Sequence, residues 1–164
     1  MSESARLLLS INTGSSSVKL GVYRDGAPPA EVTPIAADTT LDAFLEMLVS
    51  TGQAGSVVGV GHRLVHGGPK YRQPCRIDPA VRGDLEKIVP LAPNHLPQAL
   101  AAIDRVARQF PAWPQVACFD TAFHRTLPAR ARTLPLGPQV ANADVMRYGF
   151  HGLSYEFLVE SLRG

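Results

Sequence analysis

Apolar and polar positions alternate in short runs along this chain, and the spacing of the apolar ones switches repeatedly between two and nearly four. Residues 6–11, RLLLSI, make a brief apolar run of the length of a buried strand. A small polar segment, NTGSSS, follows. Residues 18–23 then alternate, with Val18, Leu20 and Val22 on one face and Lys19, Gly21 and Tyr23 on the other. RDGAPPA carries two turn signals, and EVTPIA reads as a third strand that Pro34 confines to an edge. The chain up to about residue 35 therefore predicts an antiparallel meander. Beyond it, Leu41, Phe44, Leu45 and Leu48 recur at helical spacing over residues 40–51, with Thr39 or Thr40 as N-cap and Gly52 as stop.

The second half continues the alternation. SVVGVGHRLVHGGPKY predicts a strand running into a glycine-rich loop. DPAVRGDLEKIVPL predicts a helix capped by Asp78 with Pro79 at its first position. Residues 97–110 form an amphipathic helix with no evident cap, ended by Pro111. PQVACFDTAFH reads as a buried strand with a polar end, and LSYEFLVESLR as a helix after YGFHG. There is no internal repeat, low-complexity tract or linker. Strand, helix and loop in turn predict an α/β layer fold.

Composition narrows the class without changing that picture. A chain of 164 residues fits one domain, and 45% hydrophobic with 18% charged residues is ordinary for a globular protein. A net charge of +2, with scattered basic residues, argues against a nucleic-acid surface. Cys75 and Cys118 have neither disulfide-framework nor metal-ligand spacing, and are read as reduced thiols of a cytoplasmic protein, Cys118 buried in a strand. No secretory signal is read at the N-terminus, and no apolar run approaches the ~20 residues that span a bilayer.

Candidate chemistry collects where predicted strands end, the place where open α/β sheets bind ligands. NTGSSS allows a tight turn at Gly14 whose backbone N–H groups can face an anion, with Ser15, Ser16 and Ser17 as hydroxyl donors and Lys19 as a point charge. It lacks the Gly-Lys-Ser/Thr ending of a Walker loop, and taken alone reads first as a simple turn. GHRLVHGG places Arg63 where a guanidinium can bind carboxylate or phosphate with two parallel bonds, or form a surface ion pair. His62 and His66 read as hydrogen-bonding residues more readily than as metal ligands, because the glycines argue against a helix there. VACFDTAFH drives an apolar strand into Asp120, a carboxylate that must be paired or serve a site. In GFHGLS, glycines flank His151 and are expected to let a ligand approach the backbone. A His/Asp hydrolase would need a nucleophile elbow, which is absent.

Five stretches, NTGSSSVKL, GHRLVHGG, PLAPNHLP, ACFDTAFHRTLP and RYGFHGLS, run in order from residue 11 to 154, and together they resemble the acetate kinase (acetokinase) family. The resemblance implies a ribonuclease-H-like domain of the sugar kinase, actin and heat-shock chaperone superfamily: a mixed sheet with an N-terminal antiparallel hairpin and flanking helices. It implies reversible phosphoryl transfer from ATP to acetate, giving acetyl phosphate and ADP, with Mg²⁺ or Mn²⁺ as cofactor. By position in the matching stretches, Asp120, His151 and His95 correspond to catalytic residues. Arg63, Val65 and Phe150 correspond to the substrate pocket, Lys19, Ser15 and Ser17 to nucleotide binding, and Asn12 to the metal side.

Such kinases are two-domain enzymes of about 400 residues, larger than one core readily supports. The resemblance therefore implies that residues 1–164 are an N-terminal acetate-kinase-like domain without the C-terminal nucleotide-binding domain, inactive alone, and open to homodimer formation in a full-length form. No nucleic-acid or membrane partner is expected. Asn94 stands where the family commonly has leucine, and Leu153 and Tyr155 where it often has threonine and histidine. Propionate or butyrate kinase, and a non-catalytic binding module of the same superfamily, are the alternatives.

Overall fold

The computed structural model describes residues 6–14, 17–24, 33–34, 39–135, 137, 145 and 147–163. Strands β1 (Leu7–Thr13), β2 (Val18–Arg24) and β3 (Thr33–Pro34) form the expected meander. Helix α1 spans Leu41–Ser50, and β4, Val57–Leu64, follows it. A short β5 (Cys75–Arg76) precedes helices α2 (Pro79–Lys87) and α3 (Leu96–Gln109). Strand β6 (Gln115–Phe119) runs into a 3-10 segment, Asp120–Thr126, and helices α4 (Ala129–Arg132) and α5 (Gly152–Arg163) complete the described chain.

Among the described residues the strands make one six-stranded sheet in the order β3-β2-β1-β4-β6-β5. The outer pairs are antiparallel, whereas β1, β4 and β6 run parallel at the centre. Pro34 sits at the edge, as its missing N–H requires. Segment RDGAPPA lies outside the described residues. Strand β5, only two residues long, is an edge that the hydrophobic pattern did not announce.

Local signals act as read. The Thr40 hydroxyl accepts the Ala43 N–H at 3.2 Å, and the Asp78 carboxylate accepts that of Val81 at 2.7 Å. Gly52 ends α1 in the left-handed conformation, φ 71°. Helix α3 begins at His95 without a side-chain cap. Its apolar face spans both halves of the core. Ala102 and Val106 join Leu9, Ile11, Phe44, Leu45 and Leu48 under the hairpin, while Leu96, Leu100 and Ile103 join Leu64, Leu85 and Phe119. Two ion pairs tie α3 to its neighbours, Arg105 with Asp42 of α1 and Arg82 with Asp104.

One face of β6, Gln115, Ala117 and Phe119, is buried against this core. Cys118 points the other way and is half-buried rather than fully buried as expected, because cover on that side is incomplete. Burial still pushes its thiol pKa up, so it is a poor thiolate.

Candidate active site

Parallel register places the polar residues together. Asn12 of β1 is the partner of Arg63 of β4, and Arg63 is the partner of Cys118 of β6, two residues before Asp120. Three neighbouring strands thus end on Asn12, Arg63 and Asp120. The guanidinium donates from Nε (3.1 Å) and Nη2 (2.5 Å) to Oδ2 of Asp120, and from Nη1 to Oδ1 of Asn12 at 3.3 Å. Asp120 is buried, at 2% exposure, and Arg63 is its counter-charge. Three of the guanidinium's five N–H groups are used, leaving two for a ligand.

Arg63 and Asp120 form the ridge between two clefts. The first, about 380 Å³, is bounded by Val65, Asn94, His95, Phe150 and His151 as well as the ridge. It is of the size that holds small ligands. The second is wider and more open, with Ser10, Asn12 and Lys19 on the sheet side and Leu153, Ser154, Phe157 and Leu158 of α5 opposite. Asn12, Lys19, Arg63, Val65, His95, Asp120, Phe150 and His151, eight of the ten residues that the family resemblance selects, therefore line one of two adjoining clefts. Ser15 and Ser16 lie outside the described residues. Ser17 is exposed, and its carbonyl accepts the Gly14 N–H at 2.8 Å, closing the turn.

The loops that frame the first cleft brace one another. The Gly67 N–H donates to the Thr121 hydroxyl at 3.1 Å, tying the glycine-rich loop to the 3-10 segment that starts with Asp120. The His66 ring accepts the Gly68 N–H through Nδ1 at 2.8 Å and packs on Tyr148 and Phe150, at centroid separations of 4.4 and 6.0 Å. Burial holds the His66 pKa below its ordinary value, which keeps that acceptor unprotonated. His124 Nε2 lies 3.1 Å from the Phe150 carbonyl and donates to it.

The glycines of GFHG serve a different need from the one expected. A Cβ on Gly152 would lie 1.9 Å from the Asp120 carbonyl oxygen, and one on Gly149 would lie 2.4 Å from the His124 ring. Their neighbours are protein atoms, and the close approach locks His151 beside Asp120 rather than leaving room for a ligand. His151 itself has φ 57°, a conformation that non-glycine residues seldom adopt and that costs about 1–2 kcal/mol. The fold tolerates that strain where the imidazole faces the cleft.

Ser10 was not singled out from sequence, although the alternation of β1 contains it. Leu7, Leu9, Ile11 and Thr13 are buried, so Ser10 and Asn12 share the opposite face. His62, next to Arg63, does not reach the cleft. It is 1% exposed and donates Nε2–H to Oε1 of Gln115 at 2.7 Å.

Desolvation outweighs that bond and lowers the His62 pKa to about 4. The folded state then resists a proton that the unfolded chain takes up near pH 6.5. This histidine adds no pH dependence above about 6.5, erodes stability as pH falls from there, and levels off below about 4. The full loss is about 3 kcal/mol. Urea midpoints between pH 7 and 4.5 should therefore converge between the wild type and His62→Gln as the pH falls. A constant gap would refute the assignment.

Among the described residues no group of three His, Cys, Asp or Glu side chains is arranged to hold a metal. Asn12 and Asp120 supply an amide and a carboxylate oxygen at the ridge. That pair suits a hard cation that keeps several waters and takes its remaining ligands from phosphate, as Mg²⁺ does. No described helix is long and apolar enough to cross a membrane.

Known proteins are similar to this chain in sequence and fold. Residues 28–163 match the profile of the acetokinase family. The chain is 39% identical to an acetate kinase of Nitrobacter hamburgensis over 188 residues, covering 94% of this chain and 46% of that one. It is 50% identical to an acetate kinase of a Synechococcus strain over 104 residues, 63% of this chain and 26% of that one. The fold superimposes on an acetate kinase of Entamoeba histolytica with TM-score 0.78 at 29% identity, covering 96% of this chain and 45% of that one. For a propionate kinase of Francisella tularensis the TM-score is 0.77 at 27% identity, with 95% and 48% covered. The chain spans about half the length of these relatives or less. The mixed sheet with its leading hairpin is thus the fold of the sugar kinase, actin and chaperone superfamily. With a matching profile over most of its length, this chain belongs to the acetokinase family.

Proposed function

We propose that residues 1–164 form the acyl-binding, N-terminal domain of an acetate kinase, and that phosphoryl transfer between ATP and acetate requires a C-terminal nucleotide-binding domain. The observation that carries this reading is the Arg63–Asp120 ridge with a small, partly apolar cleft on one side and, on the other, a wide open one that is polar along the sheet and apolar along α5. The two free N–H groups of Arg63 match a carboxylate or phosphate, and Val65 and Phe150 bound the space for a short acyl chain. Lys19 and Asn12, in the second cleft, suit the phosphates and the cation of the nucleotide.

The chemistry asks little covalent help from the protein. Acetate is already ionised at neutral pH, since carboxylic acids titrate near ~4, so no general base is needed. Asp120 orients Arg63 and offers a cation its other carboxylate oxygen. Arg63 holds the acceptor carboxylate. His151, at the rim, and His95 donate hydrogen bonds to the oxygens that carry charge as the phosphoryl group moves. Bound Mg²⁺ or Mn²⁺ would neutralise part of that charge. Asn94 adds a polar group to the acyl cleft, which bears on the choice among acetate, propionate and butyrate.

Helix α5 supports the need for a second domain. Phe157, Leu158 and Leu162 are 64%, 53% and 86% exposed, a run of uncovered apolar side chains of which the first two also wall the wide cleft. Calorimetry tests the proposal. Acetyl phosphate should bind the chain, an Arg63→Gln variant should abolish that binding, and a hydroxamate assay of the chain alone with ATP and acetate should give only background. Acetyl phosphate binding that survives Arg63→Gln, or robust turnover by residues 1–164 alone, would contradict it.

A further inference from the structure

Behind the segment that carries His151 lies a second concentration of positive charge. Arg72, Arg125, Arg132 and Arg147, with His124 and Tyr71, line a narrow notch between the 3-10 segment and residues 147–149. Arg72 and Arg125 also wall an adjoining open basin with Lys70 and Gln73. Among the described residues, neither depression has a carboxylate in its wall.

Some basic side chains elsewhere in the molecule have acidic partners. Arg82, Arg105, Lys87 and Arg163 each pair with an acidic side chain, and Lys70 pairs with Asp84. None of the four notch arginines forms an ion pair among the described residues. Carbonyl groups hold the side chains of Arg72 and Arg125, and a backbone bond joins Arg147 to Arg132. Arg72 donates to the Arg125 carbonyl at 2.8 Å, Arg125 to the Ala122 carbonyl at 3.3 Å, and the Arg147 N–H to the Arg132 carbonyl at 2.9 Å. Each guanidinium has five donors, so most remain unused. Four like charges gathered without acidic partners repel one another, and a multiply charged anion relieves that repulsion.

We propose that the basin, about 350 Å³, binds a phosphoanion with two or more adjacent phosphoryl groups, one held by Arg72 and Lys70 and the next beside Arg125 at the mouth of the notch, where Arg132 and Arg147 stand. The site lies apart from the Arg63 cleft, with no lining residue in common. Its occupancy does not depend on the acetate kinase reading.

The test is a titration of the intact chain with inorganic pyrophosphate, followed by NMR at constant ionic strength. Saturable shifts are expected at the Gly68 and Arg125 amides and at the Nε–H groups of Arg72 and Arg132. An Arg132→Gln/Arg147→Gln double variant should weaken that binding by about tenfold or more, as two charge-assisted bonds are removed. Mapping on the wild type needs no variant, so a folding defect in the double variant leaves the test intact. Shifts confined to Asn12, Arg63 and His151, shifts reproduced by chloride at equal ionic strength, or no saturation in the millimolar range would each overturn the proposal.

Discussion

Replacing Arg63 with alanine should destabilise the fold by about 3 kcal/mol or more and remove the anion site. The size follows from which partner is left behind. Asp120 is 3% exposed in its side chain, and without the guanidinium its charge has neither water nor a counter-ion. Arg63 is 23% exposed and can turn toward solvent if Asp120 is changed. Asp120→Asn keeps an oxygen that accepts from Arg63, so its cost should be only about 1–2 kcal/mol. Urea unfolding of the two variants checks the asymmetry through their midpoints at equal m-values. Equal losses would mean that the pair is not a buried carboxylate held by an arginine.

Gly152→Ala should be the most damaging single methyl addition among the described glycines of GFHG, costing about 3 kcal/mol and displacing the start of α5. Its Cβ would meet the Asp120 carbonyl oxygen at 1.9 Å and the Phe123 Cβ at 2.5 Å, and the first of these is backbone that cannot rotate away. Because that backbone belongs to Asp120, the ridge should move with it. Gly83 is the internal control. It lies inside α2 with nothing within 4 Å of an added Cβ, so Gly83→Ala should raise stability by about 0.5–1 kcal/mol through helix propensity. Thermal melts of both variants decide the matter. A neutral Gly152→Ala would show that the packing of Gly152 against the Asp120 backbone is looser than described.

The convergence of the candidate residues was legible in the sequence, while the contacts that support it were not. Short apolar runs ending in NTGSSS, GHRLVHGG and FDTAFH mark strand ends, and parallel register then aligns Asn12, Arg63 and Asp120 with no further information. The caps of α1 and α2 and the edge position of Pro34 followed from local chemistry for the same reason. Strand β5 was invisible because two residues carry no period, and its pairing is set by β6 rather than by its own side chains. The purpose of Gly149 and Gly152 was misread because a glycine signals close approach without saying what approaches. The notch arginines share no motif. They span Arg72 to Arg147 in sequence and meet only because three loops brace one another around Thr121, His124 and Tyr148.

Convergence of strand ends on one anion is best tested by a site-resolved NMR titration with acetyl phosphate, following the Asn12 side-chain amide, the Arg63 Nε–H and the His151 ring. All three signals should shift along one binding curve, with a single dissociation constant and no effect on the buried His62–Gln115 pair. Separate curves for Asn12 and His151, or an Arg63 signal that stays still while the others move, would show that these groups do not face a common ligand.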